Sequence, residues 1–186
     1  APMIHHLRDI SAESLGVHVS DVYRLLLKIP ESIAAAELAR ELGEDIFELT
    51  ARNHVASSGY PLRGRLLYGI AECERSKHAF SLLQEGDMDA LGRLMNVSHD
   101  GDRVVGRDGT PYSVDLCDER IEFLVAELES GMPEREAAAS LRMQPGVYAC
   151  SIPAIDRMVD VALEVPGVLG AQLSGAGLGG CMMVLA

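Results

Sequence analysis

Apolar residues recur at helical spacing along most of this chain. Val22 to Lys28 reads as a helix that Ser20-Asp21 can cap and Pro30 ends. From Glu31 to Leu42 the sequence is rich in alanine, and Ala34, Leu38 and Leu42 return every four residues on one face. Phe47, Leu49, Ala51 and Val55 continue the pattern less regularly, and Ser57-Ser58-Gly59-Tyr60-Pro61 is loop chemistry. The longest stripe is Leu66, Ile70, Cys73, Lys77 and Phe80. It predicts one helix from about Leu62 to Leu83, with Arg65, Glu72, Glu74 and Arg75 facing away. Gln84-Glu85-Gly86-Asp87 ends that helix and caps another, Met88 to Asn96, whose apolar side is Leu91, Leu94 and Met95. Leu116 to Leu128 and Glu134 to Leu141 read as two further helices.

Toward the C-terminal end the period changes. Pro145-Gly146 opens a strand over Val147 to Ser151. Ser151 then caps a helix from Pro153 to Glu164, with Ile155, Met158, Val159, Ala162 and Leu163 on one face. Val165-Pro166-Gly167 stops it. Two strands follow, Ala171 to Leu173 and Cys181 to Leu185, joined by residues 174–180. Strand, helix and hairpin make a βαββ unit. With the upstream helices, this predicts an α+β domain in which a small, mostly antiparallel sheet packs against several helices.

The hairpin tip is unusual. Gly175, Gly177, Gly179 and Gly180 place four glycines within six residues, at a conformational cost that needs a reason. Gly175, Gly177 and Gly180 fit G-x-G-x-x-G, but a dinucleotide site requires a helix and a later acidic residue, whereas here an apolar strand follows. Two readings stay open: a structural hairpin with a bulged tip, or a loop whose N–H groups form a concave anion nest or pack against one.

Composition narrows the function. The chain has 186 residues, enough for one domain with a sizeable core, and carries a formal net charge of −12. That charge argues against nucleic acid and anionic membrane as partners. A phosphate bound here must rely on backbone N–H groups or on cations from elsewhere. No apolar run approaches the ~20 residues of a membrane span, and the first residues show no signal-peptide core. Cys73, Cys117, Cys150 and Cys181 form no C-x-x-C pair; three sit in apolar patterns, and they read as buried free thiols of a reducing cytoplasm. His5 and His6 read as an incidental pair, and His18, His54 and His78 have no partner cluster. Asp100, Asp102, Asp108, Asp115 and Asp118 lack calcium-loop spacing. No metal site is expected. His99 is either a general base or substrate contact, or a structural histidine satisfied at the end of its helix; the structural reading is adopted.

Three ordered segments carry a family resemblance. Leu173-Ser174-Gly175-Ala176-Gly177-Leu178-Gly179-Gly180-Cys181 resembles the third signature motif of the GHMP kinases, above all the M-T-G-G-G-F-G-G-C form of galactokinases. Gly86-Asp87-Met88-Asp89-Ala90-Leu91-Gly92-Arg93-Leu94-Met95-Asn96-Val97-Ser98-His99 is similar to G-D-x-x-A-F-G-x-L-M-N-E-S-H. Ser151-Ile152-Pro153-Ala154-Ile155-Asp156 with Val165-Pro166-Gly167-Val168-Leu169-Gly170-Ala171 is similar to S-x-P-E-L-D…V-P-G-V-x-G-A. Arg65 and Glu72 match the family's preceding helix more loosely. Residues 100–147 depart from the pattern and read as a family-atypical helical insertion.

The resemblance implies that residues 1–186 form a GHMP kinase C-terminal domain with a ferredoxin-like βαββ core. The implied activity is that of a galactokinase-like sugar kinase moving the γ-phosphate of ATP to a sugar hydroxyl, in galactose metabolism. The family's phosphate-binding loop, sugar motif and catalytic pair are not in this sequence, and by resemblance they belong to the N-terminal domain. No catalytic residue is therefore expected here. ATP and Mg2+ belong to the full-length enzyme, and the isolated fragment should be inactive. Ser174, Gly175, Ala176, Gly177, Gly179 and Gly180 are implied as support for the phosphate loop across the interdomain cleft, where sugar and ATP meet. Ala176 stands in place of a family glycine and is comfortable only with φ below zero. The alternative function is a non-catalytic small-molecule-binding or regulatory module of ACT-like shape.

Overall fold

A computed structural model describes residues 4–51, 59–175 and 180–186. After a short α1 (Ala12–Leu15), α2 spans Val19–Leu26. Its cap is His18, whose ring accepts from the Ser20 N–H while Asp21 accepts from the His18 N–H, so the helix starts before the expected Ser20-Asp21. β1 (Ser32–Ile33) precedes α3 (Ala35–Leu42) and α4 (Glu44–Ala51), and β2 (Tyr60–Pro61) pairs back antiparallel with Ile33 opposite Tyr60. The stretch from Glu31 is therefore not helical at its start: Glu31 to Ile33 is spent on pairing, and the Glu31 carbonyl accepts from the Leu62 N–H at 3.0 Å.

α5 (Leu62–Glu85) is one 24-residue helix and α6 (Met88–Asp102) follows after a left-handed Gly86 and an Asp87 cap on the Ala90 N–H. α6 runs six residues past the expected end at Asn96. Asp100-Gly101-Asp102, which reads as a turn, is its last turn, because Gly101 lies against the Pro145 carbonyl and the Tyr68 ring where a side chain would collide. α7 (Asp118–Leu128), α8 (Pro133–Ala139), a 3-10 turn (Leu141–Met143) and α9 (Pro153–Leu163) come next, then β3 (Gly170–Ser174) and β4 (Cys181–Leu185).

The larger core gathers Val22, Tyr23 and Leu26 from α2, Leu67 and Ile70 from α5, and Ile121, Leu124 and Leu128 from α7, closed by Ala139 and Leu141. The helices of segment 100–147 thus complete this core. A second cluster joins Ile155 and Val159 of α9 to Ala171 and Leu173 of β3. The α+β class holds, with helices packed on antiparallel pairs. Among the described residues the strands form two separate two-stranded sheets, β1–β2 and β3–β4.

The first strand of the expected βαββ unit does not form. Residues 147–151 belong to no strand, Ala149 turns to a left-handed φ of 54°, and their N–H groups bond to helix backbone: Val147 to the Gly64 carbonyl, Tyr148 and Ala149 to Gly101, and Ser151 to Asp102. Ser151 does not cap α9 either; the cap position is Ile152, with Pro153 opening the helix. Two readings of the long helix also change. Arg75 points inward and donates to the Arg142 and Gln144 carbonyls, both at 2.9 Å, while Phe80 is 65% exposed.

Candidate functional site

The site is built on the terminal hairpin. β3 and β4 pair antiparallel, with Gly170 opposite Leu185 and Ser174 opposite Cys181, so residues 175–180 form the tip. Ser174 ends its strand half-buried. Gly175 has φ +79° and nothing within 4 Å of the place a Cβ would occupy, so its requirement is conformational, not steric. At Gly180 an added Cβ would come 3.3 Å from the Ser174 carbonyl oxygen, so the two ends of the tip approach closely. Ala176, Gly177 and Gly179, the other proposed support positions, lie outside the described residues.

Helix α6 fixes this hairpin through one face, Gly92, Asn96 and His99, spaced i, i+4, i+7. At Gly92 the backbone of helix and strand nearly touch: a Cβ there would lie 2.4 Å from the Leu169 carbonyl oxygen, and one on Gly170 would lie 2.5 Å from the Gly92 oxygen. One turn on, Asn96 takes the place of a neighbouring strand. Its Oδ1 accepts from the Ala171 N–H at 2.9 Å, and its Nδ2 faces the Leu169 carbonyl at 3.4 Å. One further turn on, His99 Nδ1 accepts from the Leu173 N–H at 3.3 Å. The edge of β3 is therefore satisfied by side chains of a helix, which settles strand height and register together.

His99 is buried, and because Nδ1 accepts, its proton sits on Nε2. That atom lies 3.4 Å from Asp156 Oδ1, and neither atom has a hydrogen-bond partner among the described residues. Burial, reinforced by the Arg103 guanidinium and opposed by Asp156 and Asp160, lowers the His99 pKa to about 4. A buried neutral imidazole bonded to strand backbone is a positioning group, in keeping with the structural reading. Its partner is the strand; last-turn carbonyls play no part.

Asp156 extends the arrangement. Its Oδ2 accepts from the Val104 and Val105 N–H groups at 3.0 and 2.9 Å, tying α9 to the chain leaving α6. One turn along α9, Asp160 takes both ends of the buried Arg103 guanidinium at 2.8 and 3.2 Å. The hairpin is thus held between α6 and α9 by a polar seam over the smaller core. Gly92, Asn96 and Asp156 were not singled out from the sequence, although the G-x-x-x-N-x-x-H spacing already puts three of the seam's residues on one helical face.

Chemically, the described part of the tip offers backbone and small side chains with no acid, base or nucleophile held in a cleft. Among the described residues no group of three or more His, Cys, Asp or Glu could hold a metal, and no helix is long and apolar enough to cross a membrane. The four cysteines are free but not buried as expected: Cys73, Cys117 and Cys150 are half-buried and Cys181 on β4 is exposed. An ACT-like module gains no support, since the βαββ unit lacks its first strand among the described residues.

Comparison with known proteins gives this geometry a family setting. Residues 124–186 match the family model described as GHMP kinases C terminal. The chain is 30% identical over 156 residues to the galactokinase of Homo sapiens, covering 80% of this chain and 28% of that protein. It is 30% identical over 181 residues to the galactokinase of Roseiflexus sp., covering 97% of this chain and 34% of that one. With the Bos taurus galactokinase it shares 29% over 155 residues, 80% of the chain and 28% of the relative. The chain spans about a third of the length of these curated relatives.

Proposed function

We propose, from a chain that is a galactokinase-like C-terminal domain of the GHMP kinase superfamily, that it supplies one wall of the active site of a cytoplasmic sugar kinase. In this reading residues 1–186 act as that domain, with segment 100–147 as its atypical addition. An N-terminal domain carries the phosphate-binding loop, the catalytic groups and the ATP and Mg2+ sites. The hairpin tip, Ser174 to Gly180, lies against the phosphate-binding loop across the interdomain cleft and sets its shape. The γ-phosphate of ATP then passes to a sugar hydroxyl, galactose being the first substrate to test.

The observation that carries this reading is that strand β3, which leads into the glycine-rich segment, is held through its backbone by Asn96 and His99 of α6. Phosphoryl transfer depends mainly on positioning and electrostatics, so a wall fixed to within a fraction of an ångström contributes without touching the reacting atoms. No described residue of the hairpin is asked to act as acid, base or nucleophile, which agrees with its makeup.

The test is ADP release by the full-length protein with ATP, Mg2+ and a panel of hexoses and pentoses, beside the chain of residues 1–186. Turnover by the full-length protein, its loss on Gly175→Val, and none by the chain alone are expected. A full-length protein that binds ATP yet phosphorylates no sugar, or a Gly175→Val variant with unchanged turnover, would sink the proposal.

A further inference from the structure

The cavity between α5, the start of α6 and α8 is unrelated to the hairpin tip. It encloses about 400 Å3, within the range that small-molecule sites occupy. Its walls are mostly apolar, with Leu82 from α5, Leu94 from α6 and Met143 from the 3-10 turn. Arg93 and Arg142 also line it. Among the described residues, no carboxylate oxygen comes within 4.0 Å of either guanidinium. That is unexpected in a chain with 28 acidic residues against 16 lysines and arginines. Arg65 and Arg120 lie over aromatic rings; Arg8 and Arg157 also have no ion pair among the described residues, but neither lines this cavity.

The polar neighbour of Arg142 keeps its charge in place without cancelling it, while Arg93 reaches the cavity from the exposed side of α6. His78 Nε2 lies 3.2 Å from Arg142 Nη1, and burial together with Arg142 holds the His78 pKa below its ordinary value. A neutral imidazole thus accepts from the guanidinium and steadies it, leaving the charge intact. Asp87 is the cavity's one carboxylate, and it is committed to the Ala90 N–H at 2.9 Å as the cap of α6. Two arginine charges against one engaged carboxylate leave the cavity positive inside a strongly negative protein.

We propose that this cavity binds a small amphiphilic organic anion. Its phosphate or carboxylate head sits between Arg93 and Arg142, and a compact apolar body rests on Leu82, Leu94 and Met143. Arginine's planar fork suits either oxyanion. Arg93 lies about 9 Å along α6 from His99, and none of the cavity's lining residues belongs to the hairpin, so the site is separate from the tip and does not rest on the kinase reading.

Backbone amide NMR of the chain, titrated at constant ionic strength, tests this with phenyl phosphate, benzoate, inorganic phosphate and phenol. Saturable shifts at Leu82, Ala90, Arg93 and Arg142 are expected with phenyl phosphate, benzoate or both, the tighter of the two identifying the head group. Binding should be about tenfold tighter than for inorganic phosphate, equivalent to about 1.4 kcal/mol, and phenol should bind more weakly than either aromatic anion. Arg93→Gln and Arg142→Gln should each weaken binding about tenfold with the melting temperature unchanged. Failure of both aromatic anions to saturate, affinity equal to that of inorganic phosphate or phenol, or affinity unchanged in both variants would overturn the proposal.

Discussion

Replacing Gly92 with alanine isolates the contact that seats the hairpin. The added Cβ would stand 2.4 Å from the Leu169 oxygen and 2.6 Å from its carbonyl carbon, where ordinary contact begins at 3.4 Å. Leu169 must therefore retreat by about 1 Å, the difference between 3.4 and 2.4. The obstacle is backbone, which cannot rotate aside, so the overpacking cost belongs near the top of the usual range, about 3 kcal/mol. A 1 Å retreat also stretches the Asn96 bond to the Ala171 N–H, at about 1 kcal/mol. Against this, alanine is about 1 kcal/mol better than glycine inside a helix. The net expectation is a loss of about 3 kcal/mol, or a melting temperature about 6–12 °C lower for a domain of this size. Gly86→Ala is the contrast. Its φ is +75° with nothing within 4 Å, so only backbone strain of roughly 1–2 kcal/mol is expected. Thermal unfolding should rank the variants in that order, and the Ala171 and Leu173 amide resonances should move in Gly92→Ala alone. A Gly92→Ala protein at least as stable as its parent would refute the close-contact argument, because the clash would then cost no more than helix propensity returns.

Two further outcomes follow from buried polar groups. His99 has its pKa lowered to about 4 in the fold against an ordinary 6.5, so the unfolded chain takes up the proton first. Its contribution is complete above pH 6.5 and is lost as pH falls toward 4, with a ceiling near 3 kcal/mol. Burial raises Asp100 and Asp102, which oppose this trend. The quantity to measure is therefore the difference in urea stability between parent and His99→Gln across that window. A difference that does not vary with pH would contradict the assignment. The buried Tyr23 hydroxyl donates to the Ala139 carbonyl at 2.8 Å, so Tyr23→Phe should cost about 1–2 kcal/mol in chemical denaturation, and no loss would show that bond to be idle.

What the sequence revealed and what it hid divide along a physical line. Local signals were legible: Gly86-Asp87 marked both a helix end and the next cap, and the glycine-dense tip marked the hairpin. Signals that depend on distant backbone were not. Val147 to Ser151 has the composition of a strand, yet its N–H groups are taken by Gly64, Gly101 and Asp102, which no periodicity records. Gly101 suggests a turn, and only the pressing of Pro145 and Tyr68 explains why a glycine sits inside the last turn of a helix. Arg75 looks like a solvent-facing charge until the Arg142 and Gln144 carbonyls appear behind it. At the candidate site the pairing of β3 with β4 is legible in the sequence, whereas the Gly92, Asn96 and His99 face is visible as a matching motif but not as a mount for β3.

Helix α5 carries two buried guanidinium groups, at Arg63 and Arg75, twelve residues and about 18 Å apart along its axis. Arg63 holds the Ile29 and Leu116 carbonyls, and Arg75 those of Arg142 and Gln144. Each works as a two-pronged clasp, gathering irregular backbone that has no ladder of its own. A lysine would bring the same charge to either place, but a single ammonium on a flexible stem cannot reproduce the planar fork, which at Arg63 meets the two carbonyls through Nε and Nη1 and at Arg75 gives Nη1 to both carbonyls and Nε to Glu72. At these two positions, like charge does not mean like residue.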